Sequence, residues 1–447
     1  MVQRIRSLLA GRGLGTVLVK AATGSAGLRV VGMGFGFLVG IQLARGLGSE
    51  GYGIYGLAMS VIALLMVPTE FGLPQLVVRE TAANATRGDW GKIRGILAWS
   101  QRVSLLSWLA VGALLVAAVA LGSNWIGRDL SSALLVGLAT IPLVAVAKTR
   151  SAALRGLRHI VKGQIPDVAL RPAILSLLLL LAASLSIPLT PPLAMGFGAI
   201  SAGGALLLAL VMLARALPPE ARLAKPQIDA ESWRSSSIPM AMTEAMRIVQ
   251  GHLAILMLGL VATASSVGIF KVATAVSVVV AAPTGILISV VAPSISSLFA
   301  ANDRARLQKL LTWASIAMVA GVLAISLPFF IAGPALIELV FGHEFSAATA
   351  PLQILCAGAV LTATAGTAGT LLNMTGHERR VRRASLHALV LLVILLAPTI
   401  LLAGATGAAL ATVMASLLWR FSMVKDCRRL LNLEPGLLGL LRKDART

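Results

Sequence analysis

Residues 96–121 read ILAWSQRVSLLSWLAVGALLVAAVAL and contain one charged residue, Arg102. A helix needs about 20 predominantly apolar residues to cross a bilayer, and this stretch is long enough. About a dozen similar stretches follow one another in a chain of 447 residues that is 57% hydrophobic and 12% charged. Since soluble domains carry about a quarter charged residues, the composition excludes a soluble enzyme. The apolar stretches are continuous rather than alternating, which excludes a barrel and predicts helices.

The apolar stretches place twelve spans along the chain. We predict them at residues 22–46, 52–76, 96–121, 131–149, 164–187, 193–215, 237–260, 266–292, 312–333, 349–374, 386–403 and 406–424. The basic first residues lead into span one without a convincing cleavage site, so we expect an uncleaved anchor.

The basic residues predict the orientation of these spans. Of the 38 Lys and Arg residues, 31 lie in the N-terminal segment, in every second loop and in the C-terminal tail. Lys and Arg accumulate on the cytoplasmic side of membrane proteins, so both termini are predicted to be cytoplasmic. The net charge of +21 is then explained by topology and by contact with anionic lipid headgroups. Nucleic acid is not expected as a partner, because aromatic residues, at 4%, are too few for a base-stacking surface.

A weak duplication divides the chain into two halves. The stretch GIYGLA at residues 53–58 opens span two, and GIFKVA at residues 268–273 opens span eight, at an offset of 215. Because the offset moves the pattern by six spans, an even number, the halves share one orientation and form parallel repeats. The sequence therefore predicts an all-α polytopic membrane protein of two six-helix bundles. Its predicted segments are a cytoplasmic N-terminus (1–21), an N-terminal lobe (22–216), a linker (217–236), a C-terminal lobe (237–424) and a basic tail (425–447).

Charged residues inside the spans are the candidate functional residues, because each costs about 2.5–3.5 kcal/mol at the centre of a spanning helix. We single out seven, four basic and three acidic: Arg29, Glu70, Asp167, Arg171, Glu244, Arg247 and Lys271. A cavity lined by such cations suits an anionic ligand, since the guanidinium fork matches phosphate oxygens.

Local neutralisation is the alternative interpretation of these charges. Asp167 and Arg171 are four residues apart and Glu244 and Arg247 three apart, so each pair can neutralise itself on one helix face. Lys271 is near the outer end of its span and can extend to the interface. Two residues, Arg29 and Glu70, have no local partner, so they require a partner from another helix, a hydrated cavity or a ligand.

Other motifs predict structure rather than chemistry. Gly32, Gly36 and Gly40, spaced four apart, indicate close helix packing. His252 within span seven is expected to be packed and hydrogen-bonded, with a proton relay as the alternative. The chain has no Walker P-loop, no Ser/His/Asp order and no metal-ligand spacing. We therefore expect neither an enzyme nor a bound cofactor or metal, and we expect no disulfide between Cys356 and Cys427.

A family resemblance begins at residues 44–53, which read ARGLGSEGYG. They resemble the A-R-x-L-G-x-x-x-[FY]-G segment of Wzx-type polysaccharide flippases, of the multidrug/oligosaccharidyl-lipid/polysaccharide exporter superfamily. Further similar segments follow in order over residues 20–425: 154–156, 163–164, 170–172, 268–273, 292–295, 341–345 and 371–376. The chain departs from the family at Gln250–Leu253 in span seven, where such proteins often carry an acidic residue.

The resemblance implies two six-helix bundles around a central cavity that work by alternating access. Such proteins move an undecaprenyl-diphosphate-linked oligosaccharide from the cytoplasmic to the outer leaflet of the bacterial inner membrane, for O-antigen or exopolysaccharide assembly. By resemblance, Arg29, Arg171 and Arg247 would bind the diphosphate or acidic sugars, with Lys271 near the outer gate. Three acidic residues would couple the cycle to H⁺ or Na⁺: Glu70, Asp167 and Glu244. A polysaccharide polymerase and glycosyltransferases would be partners beside membrane lipids.

Three other functions remain as alternatives. A multidrug exporter of the same superfamily would be expected to carry unpaired carboxylates for cationic drugs. A lipid II flippase would be expected to carry two further spans after residue 424. A membrane scaffold without transport would leave the intramembrane Arg29 without an explanation.

Overall fold

The computed structural model describes residues 14–122 and 126–440, which form helices joined by short turns. Most of the predicted N-terminal segment and the end of the basic tail, residues 1–13 and 441–447, lie outside the described residues. Fifteen α-helices, α1 to α15 in chain order, are described: Leu14–Glu70, Leu73–Arg87, Trp90–Leu121, Arg128–Leu138, Thr140–Gly156, Arg171–Ser184, Pro191–Ala216, Pro219–Leu223, Ala230–Val261, Ala264–Val280, Ala282–Ala300, Arg304–Phe341, Thr349–Thr364, Ala368–Met374 and Glu378–Leu431.

These helices account for twelve membrane spans. Ten helical stretches of the described residues are long and apolar enough to cross a membrane. Two of them, Gly24–Arg87 and Glu378–Leu431, each contain two predicted spans. The backbone breaks at Gly48, with φ 67°, and at Ala403 and Gly404, where Gly404 has φ 52°. These breaks fall between the predicted spans, so the all-α twelve-helix architecture is confirmed.

Several span boundaries were predicted wrongly. Span two was predicted to end at residue 76, but α1 ends at Glu70 and α2 begins at Leu73. The predicted loop 78–95 is mostly helical because α2 is amphipathic. Its apolar face, with Leu76 and Val77, is buried in a core that also contains Trp233. A helix with one apolar face gains stability by packing that face rather than by spanning lipid.

The prediction of a loop over residues 148–163 was also wrong for residues 148–156, which are helical. Helix α5 continues through Lys148 and Arg155 to Gly156. Twelve residues of this helix, apolar or with small polar side chains, are buried, among them Ala152 and Leu154. Burial of these residues, rather than hydropathy alone, sets where the helix ends.

The chain divides into two compact units between Leu256 and Met257. This division lies inside α9, later than the linker that the sequence predicts. In the first unit, α5 packs extensively on α7 and α2. In the second unit, α13 packs on α15 and α12. The last helices of the two halves end at Ala216 and Leu431. These two positions are 215 residues apart, the same offset as in the sequence duplication.

The segment after α15 folds back onto the second unit. Gln308 and Glu434 form two hydrogen bonds, from Nε2 to the Glu434 carbonyl oxygen at 2.8 Å and from the Glu434 amide to Oε1 at 2.9 Å. The Ser315 hydroxyl donates to the Pro435 carbonyl oxygen at 2.8 Å. Gly366 lies close to the same carbonyl oxygen, since an added Cβ at Gly366 would stand 2.0 Å from it.

Candidate substrate cavity and charged cluster

A cavity of about 510 Å³ in the first unit contains two of the predicted substrate-binding arginines. Arg29 of α1 and Arg171 at the start of α6 both line it, together with Asp167 and Tyr55. Arg29 is exposed and Arg171 is partly buried. The sequence predicts that Arg29 needs a partner from another helix, a hydrated cavity or a ligand, and Arg29 does line a cavity.

A local distortion of the helix places Asp167 and Arg171 on this cavity. Residues Pro166–Leu170 form a π-helical turn that continues into α6. Pro172 lacks an amide N–H, so it cannot complete the regular hydrogen-bond ladder back into this turn. Such π-helical turns within α-helices are rare and are frequent at functional sites.

Gly32 allows the π-helical turn to lie against α1. A Cβ at Gly32 would stand 2.5 Å from the carbonyl oxygen of Val168, well below van der Waals contact. The predicted close packing is therefore confirmed at Gly32. At Gly36 nothing lies within 4 Å of the corresponding position, and at Gly40 the nearest atom is the Tyr52 hydroxyl at 3.7 Å. The glycine stripe thus serves close packing at one position and leaves open space at Gly36, which lines the cavity.

Asp167 and Arg171 do not form the self-neutralising pair that the spacing allows. Within the described residues, no direct ion pair joins them. The Asp167 carboxylate is instead within electrostatic range of three cations, Lys148, Arg171 and Arg155. The π-helical turn Pro166–Leu170 lies between these two positions, so they are not on a regular α-helix.

A second cavity, of about 250 Å³, contains the predicted acidic residues. Glu70, Asp167 and Glu244 all line it, together with Lys148 and Arg155. The Lys148 ammonium lies 2.6 Å from Oε1 of Glu70, and the Glu70 side chain is only 6% exposed. Glu70 was predicted to need a partner from another helix, and Lys148 of α5 supplies it. We call these five residues the charged cluster.

A tight turn brings Glu244 into the charged cluster. Gly72 has φ 68°, and a Cβ there would stand 2.7 Å from the Ser237 carbonyl oxygen and the Ala241 amide of α9. Only glycine allows this close approach with this backbone conformation. Glu244 in turn accepts hydrogen bonds from Nε of Arg247, at 3.1 Å, and from its Nη2.

The remaining predicted residues lie elsewhere. Arg247 pairs with Glu244, and its side chain is 70% exposed, so the local neutralisation that the sequence allows is confirmed for this pair. Lys271 lies in the second unit, on α10, and is partly buried. His252 Nδ1 lies 3.0 Å from the hydroxyl oxygen of Ser60, which is buried, as expected for a packed histidine.

Asp167 connects the two sites, because it lines both the arginine cavity and the cavity of the charged cluster. A change in the charge of the cluster therefore acts directly on the field at Arg171. This arrangement can bind an anion on one side and respond to a cation or proton on the other. Among the described residues, no group of His, Cys, Asp or Glu is arranged to hold a metal ion.

Sequence reasoning missed three residues of these sites: Lys148, Arg155 and Tyr55. Lys148 and Arg155 were counted as loop residues of the basic side. Their spacing of seven places them on one face of a helix that continues past residue 149. Tyr55 was used only as a marker of the duplication, and its position on span two gave no signal of a cavity.

Comparison with known proteins decides the family. The profile of the family described as "Polysaccharide biosynthesis protein" matches residues 18–299, more than half of the chain. The chain belongs to this polysaccharide biosynthesis protein family. No curated protein sequence matches this family member significantly. The resemblance to polysaccharide flippases that the sequence motifs carry is thereby confirmed.

Solved structures similar to this polysaccharide biosynthesis protein are transporters of the MOP superfamily. An inward-facing multidrug resistance MATE family transporter has a TM-score of 0.74 at 14% identity, covering 94% of this chain and 100% of that chain. The lipid II flippase MurJ, in an inward closed conformation, has a TM-score of 0.68 at 14% identity, covering 92% and 87%. A MOP superfamily transporter from Pyrococcus furiosus, which has a binding pocket of reverse polarity, has a TM-score of 0.60 at 14% identity, covering 92% and 96%. These likenesses establish a shared membrane-transporter fold.

Proposed function

We propose that this protein is a flippase for an undecaprenyl-diphosphate-linked oligosaccharide. It would move the lipid-linked sugar from the cytoplasmic to the outer leaflet of the bacterial inner membrane by alternating access, for O-antigen or exopolysaccharide assembly. It would break no bond and need no cofactor. The proposal rests on the family. For the substrate class, it rests on the observation that Arg29 and Arg171 line the same cavity.

The two arginines favour a diphosphate over a cationic ligand. Neither guanidinium is in a direct ion pair within the described residues. The one carboxylate on the cavity, Asp167, is shared with Lys148 and Arg155 on its other side. A planar guanidinium forms paired hydrogen bonds with phosphate oxygens, and such charge-assisted bonds are about twice as strong as neutral ones. Arg247 and Lys271 remain secondary candidates for contacts with acidic sugars.

We propose that the charged cluster couples this binding to H⁺ or Na⁺. Three carboxylates and two cations share a cavity of about 250 Å³. Adding a cation or proton at Glu70 or Glu244 would change which of the carboxylates Lys148 pairs with. Asp167 would carry that change to Arg171 and so to the diphosphate. Ionisable residues placed in this way within spans are typical of proton and ion relays.

The orientation of the chain fits this role. With the basic loops on the cytoplasmic side, both termini would be cytoplasmic. Substrate would then be delivered by glycosyltransferases acting on the cytoplasmic face, and a polysaccharide polymerase would use it on the other face. Membrane lipids would surround the spans.

Native mass spectrometry of the full-length protein tests the substrate class. Undecaprenyl-diphosphate oligosaccharide and a cationic drug are offered separately to the wild type, to Arg29→Ala and to Arg171→Gln. Arg102→Gln is the matched control, because Arg102 is an exposed arginine of α3 that does not line the cavity. We expect the lipid-linked sugar to bind to the wild type and to Arg102→Gln, and to be lost from both cavity variants.

Three outcomes would contradict the proposal. Retention of the drug alone by the wild type would assign the protein to the multidrug exporters. Equal binding of the lipid-linked sugar by all four proteins would show that the arginine cavity is not the diphosphate site. A preference for lipid II over other lipid-linked sugars would favour the lipid II flippase instead. Transport of fluorescent lipid-linked sugar in proteoliposomes, at matched protein levels, then tests movement itself.

A further inference from the structure

A third cavity, of about 700 Å³, lies in the first unit away from the arginine cavity and the charged cluster. Three arginines from three different helices line it: Arg94 near the start of α3, Arg150 in α5 and Arg215 near the end of α7. These helix ends are the ones at which the basic loops are predicted to lie. With the predicted topology, the cavity would open at the level of the lipid headgroups.

The positive charge of this cavity has no acidic counterpart among the described residues that line it. Arg94 donates from Nη1 to the Ala224 carbonyl oxygen at 2.8 Å, and Arg150 donates from Nη2 to the Gln101 amide oxygen. The Gln101 acceptor of Arg150 is neutral. The Nε of Arg150 is buried and has no hydrogen-bond partner in the described part of the chain. A buried donor without an acceptor is costly unless a ligand supplies one.

The second unit contains a basic cavity at the position that corresponds to this one by the offset of 215. There, a cavity of about 710 Å³ at the end of α15 is lined by Lys425, Arg428 and Arg429. The chain itself supplies an anion, because Glu434 accepts two hydrogen bonds from Arg428, at 2.6 and 2.9 Å. Helices α7 and α15 end at equivalent positions of the duplication. The described residues that line the cavity of the first unit include basic groups but no carboxylate.

The walls of the cavity in the first unit suit a lipid rather than a small anion. Leu97, Val211 and Leu217 line it beside the arginines. Val211 is 46% exposed, and Leu207, one turn earlier on the same face of α7, is 66% exposed. An apolar strip therefore runs from the cavity along the membrane-facing side of the helix. It is positioned to contact acyl chains while the arginines contact a headgroup.

We propose that this cavity is a binding site for an anionic phospholipid. The phosphate would bind between Arg94, Arg150 and Arg215, and the acyl chains would lie along α7. Basic pockets between spanning helices at the membrane surface bind lipids with several phosphates, such as cardiolipin. The site is separate from the arginine cavity and does not depend on the proposed transport function.

Native mass spectrometry of the full-length protein in mild detergent tests the site. The probes are cardiolipin, phosphatidylglycerol, phosphatidylethanolamine as the zwitterionic control, and inorganic phosphate. Arg215→Gln is the main variant, because its side chain is exposed and packs against little. Arg102→Gln is the matched surface control, and Arg29→Gln tests independence from the arginine cavity. We expect Arg215→Gln to weaken cardiolipin binding about tenfold or more, as loss of a charge-assisted hydrogen bond predicts.

Under the proposal, Arg102→Gln and Arg29→Gln bind cardiolipin like the wild type, and phosphatidylethanolamine binds to none of the proteins at the same concentration. Arg94→Gln, which also removes the bond to Ala224, is compared through its melting temperature without lipid, so that a folding defect is recognised. Equal cardiolipin binding by Arg215→Gln and Arg102→Gln would overturn the proposal. Binding of inorganic phosphate alone, lost in Arg215→Gln, would replace the lipid by a free anion.

Discussion

The Lys148 ammonium lies 2.6 Å from the Glu70 carboxylate, although the two residues are 78 positions apart in the chain. Glu70 ends α1 and is almost fully buried, whereas the Lys148 side chain is 34% exposed. The pair joins the end of α1 to α5 at the cavity that also contains Asp167 and Glu244. Within the charged cluster, this ion pair is a direct contact between two helices.

Lys148→Met is therefore expected to destabilise the protein. Removing the ammonium leaves the Glu70 carboxylate buried without its counter-ion, which costs about 1–3 kcal/mol even with partial hydration. The measurement is the melting temperature of the purified protein in detergent. The double variant Glu70→Gln/Lys148→Met removes both charges and should recover most of the loss. If single and double variants melt at the same temperature, the ion pair contributes nothing measurable.

Arg29→Lys is expected to bind the lipid-linked oligosaccharide about tenfold or more weakly than the wild type while remaining folded. Lysine keeps the charge but loses the planar fork that bonds to two phosphate oxygens at once. Titration with undecaprenyl-diphosphate oligosaccharide measures the affinity, and Arg102→Lys is the control. An unchanged affinity would mean that Arg29 acts only as a point charge.

Gly32→Ala is expected to destabilise the protein, whereas Gly36→Ala is expected not to. At Gly32 the new Cβ meets the Val168 carbonyl oxygen at 2.5 Å, so overpacking should cost about 1–3 kcal/mol. At Gly36 nothing lies within 4 Å, so alanine should be neutral or should stabilise the helix by up to about 1 kcal/mol. Comparison of their melting temperatures checks both. Equal destabilisation would mean that helix flexibility, not contact, explains the stripe.

Gly366→Ala is expected to release the segment after α15. Gly366 has φ 59°, and its Cβ would stand 2.0 Å from the Pro435 carbonyl oxygen. Gly376, with φ 81° and nothing within 4 Å, is the matched control, because alanine there adds the same kind of backbone strain without the collision. Limited proteolysis should cleave the tail of Gly366→Ala faster than that of Gly376→Ala. Identical cleavage rates would show that the tail is not held at Pro435.

Asp167→Asn is expected to uncouple transport from the ion gradient more than it weakens binding. Its carboxylate lines both the arginine cavity and the charged cluster, so neutralising it breaks the electrostatic connection between them. Proteoliposome transport is compared with and without a H⁺ or Na⁺ gradient. Wild type should respond to one of the gradients, and Asp167→Asn should transport at the same low rate in both conditions. A full gradient response in the variant would place coupling elsewhere.

The sequence located most of the candidate residues but not their partners. Hydropathy identified Arg29 and Glu70 as charges inside spans, because the cost of burying a charge makes such residues conspicuous. It could not identify Lys148, since a lysine near the end of an apolar stretch looks like a loop residue. The spacing of Asp167 and Arg171 allowed a local pair, but the described residues form none, and a π-helical turn lies between the two positions. Val168 of that turn lies against Gly32, which is far away in the sequence.

The sequence alone determined the helical class, the twelve spans, the duplication and the family motifs. These properties depend on local composition and spacing, because a chain in lipid must satisfy its backbone hydrogen bonds within each helix. The tertiary structure decided which charges meet. Asp167 lines both the arginine cavity and the charged cluster, Lys148 pairs with Glu70, and three arginines line a cavity whose described lining residues include no carboxylate. These contacts depend on how the helices pack. The spacing of the glycines indicated close packing at Gly32, but no local pattern indicated which distant residue would lie there.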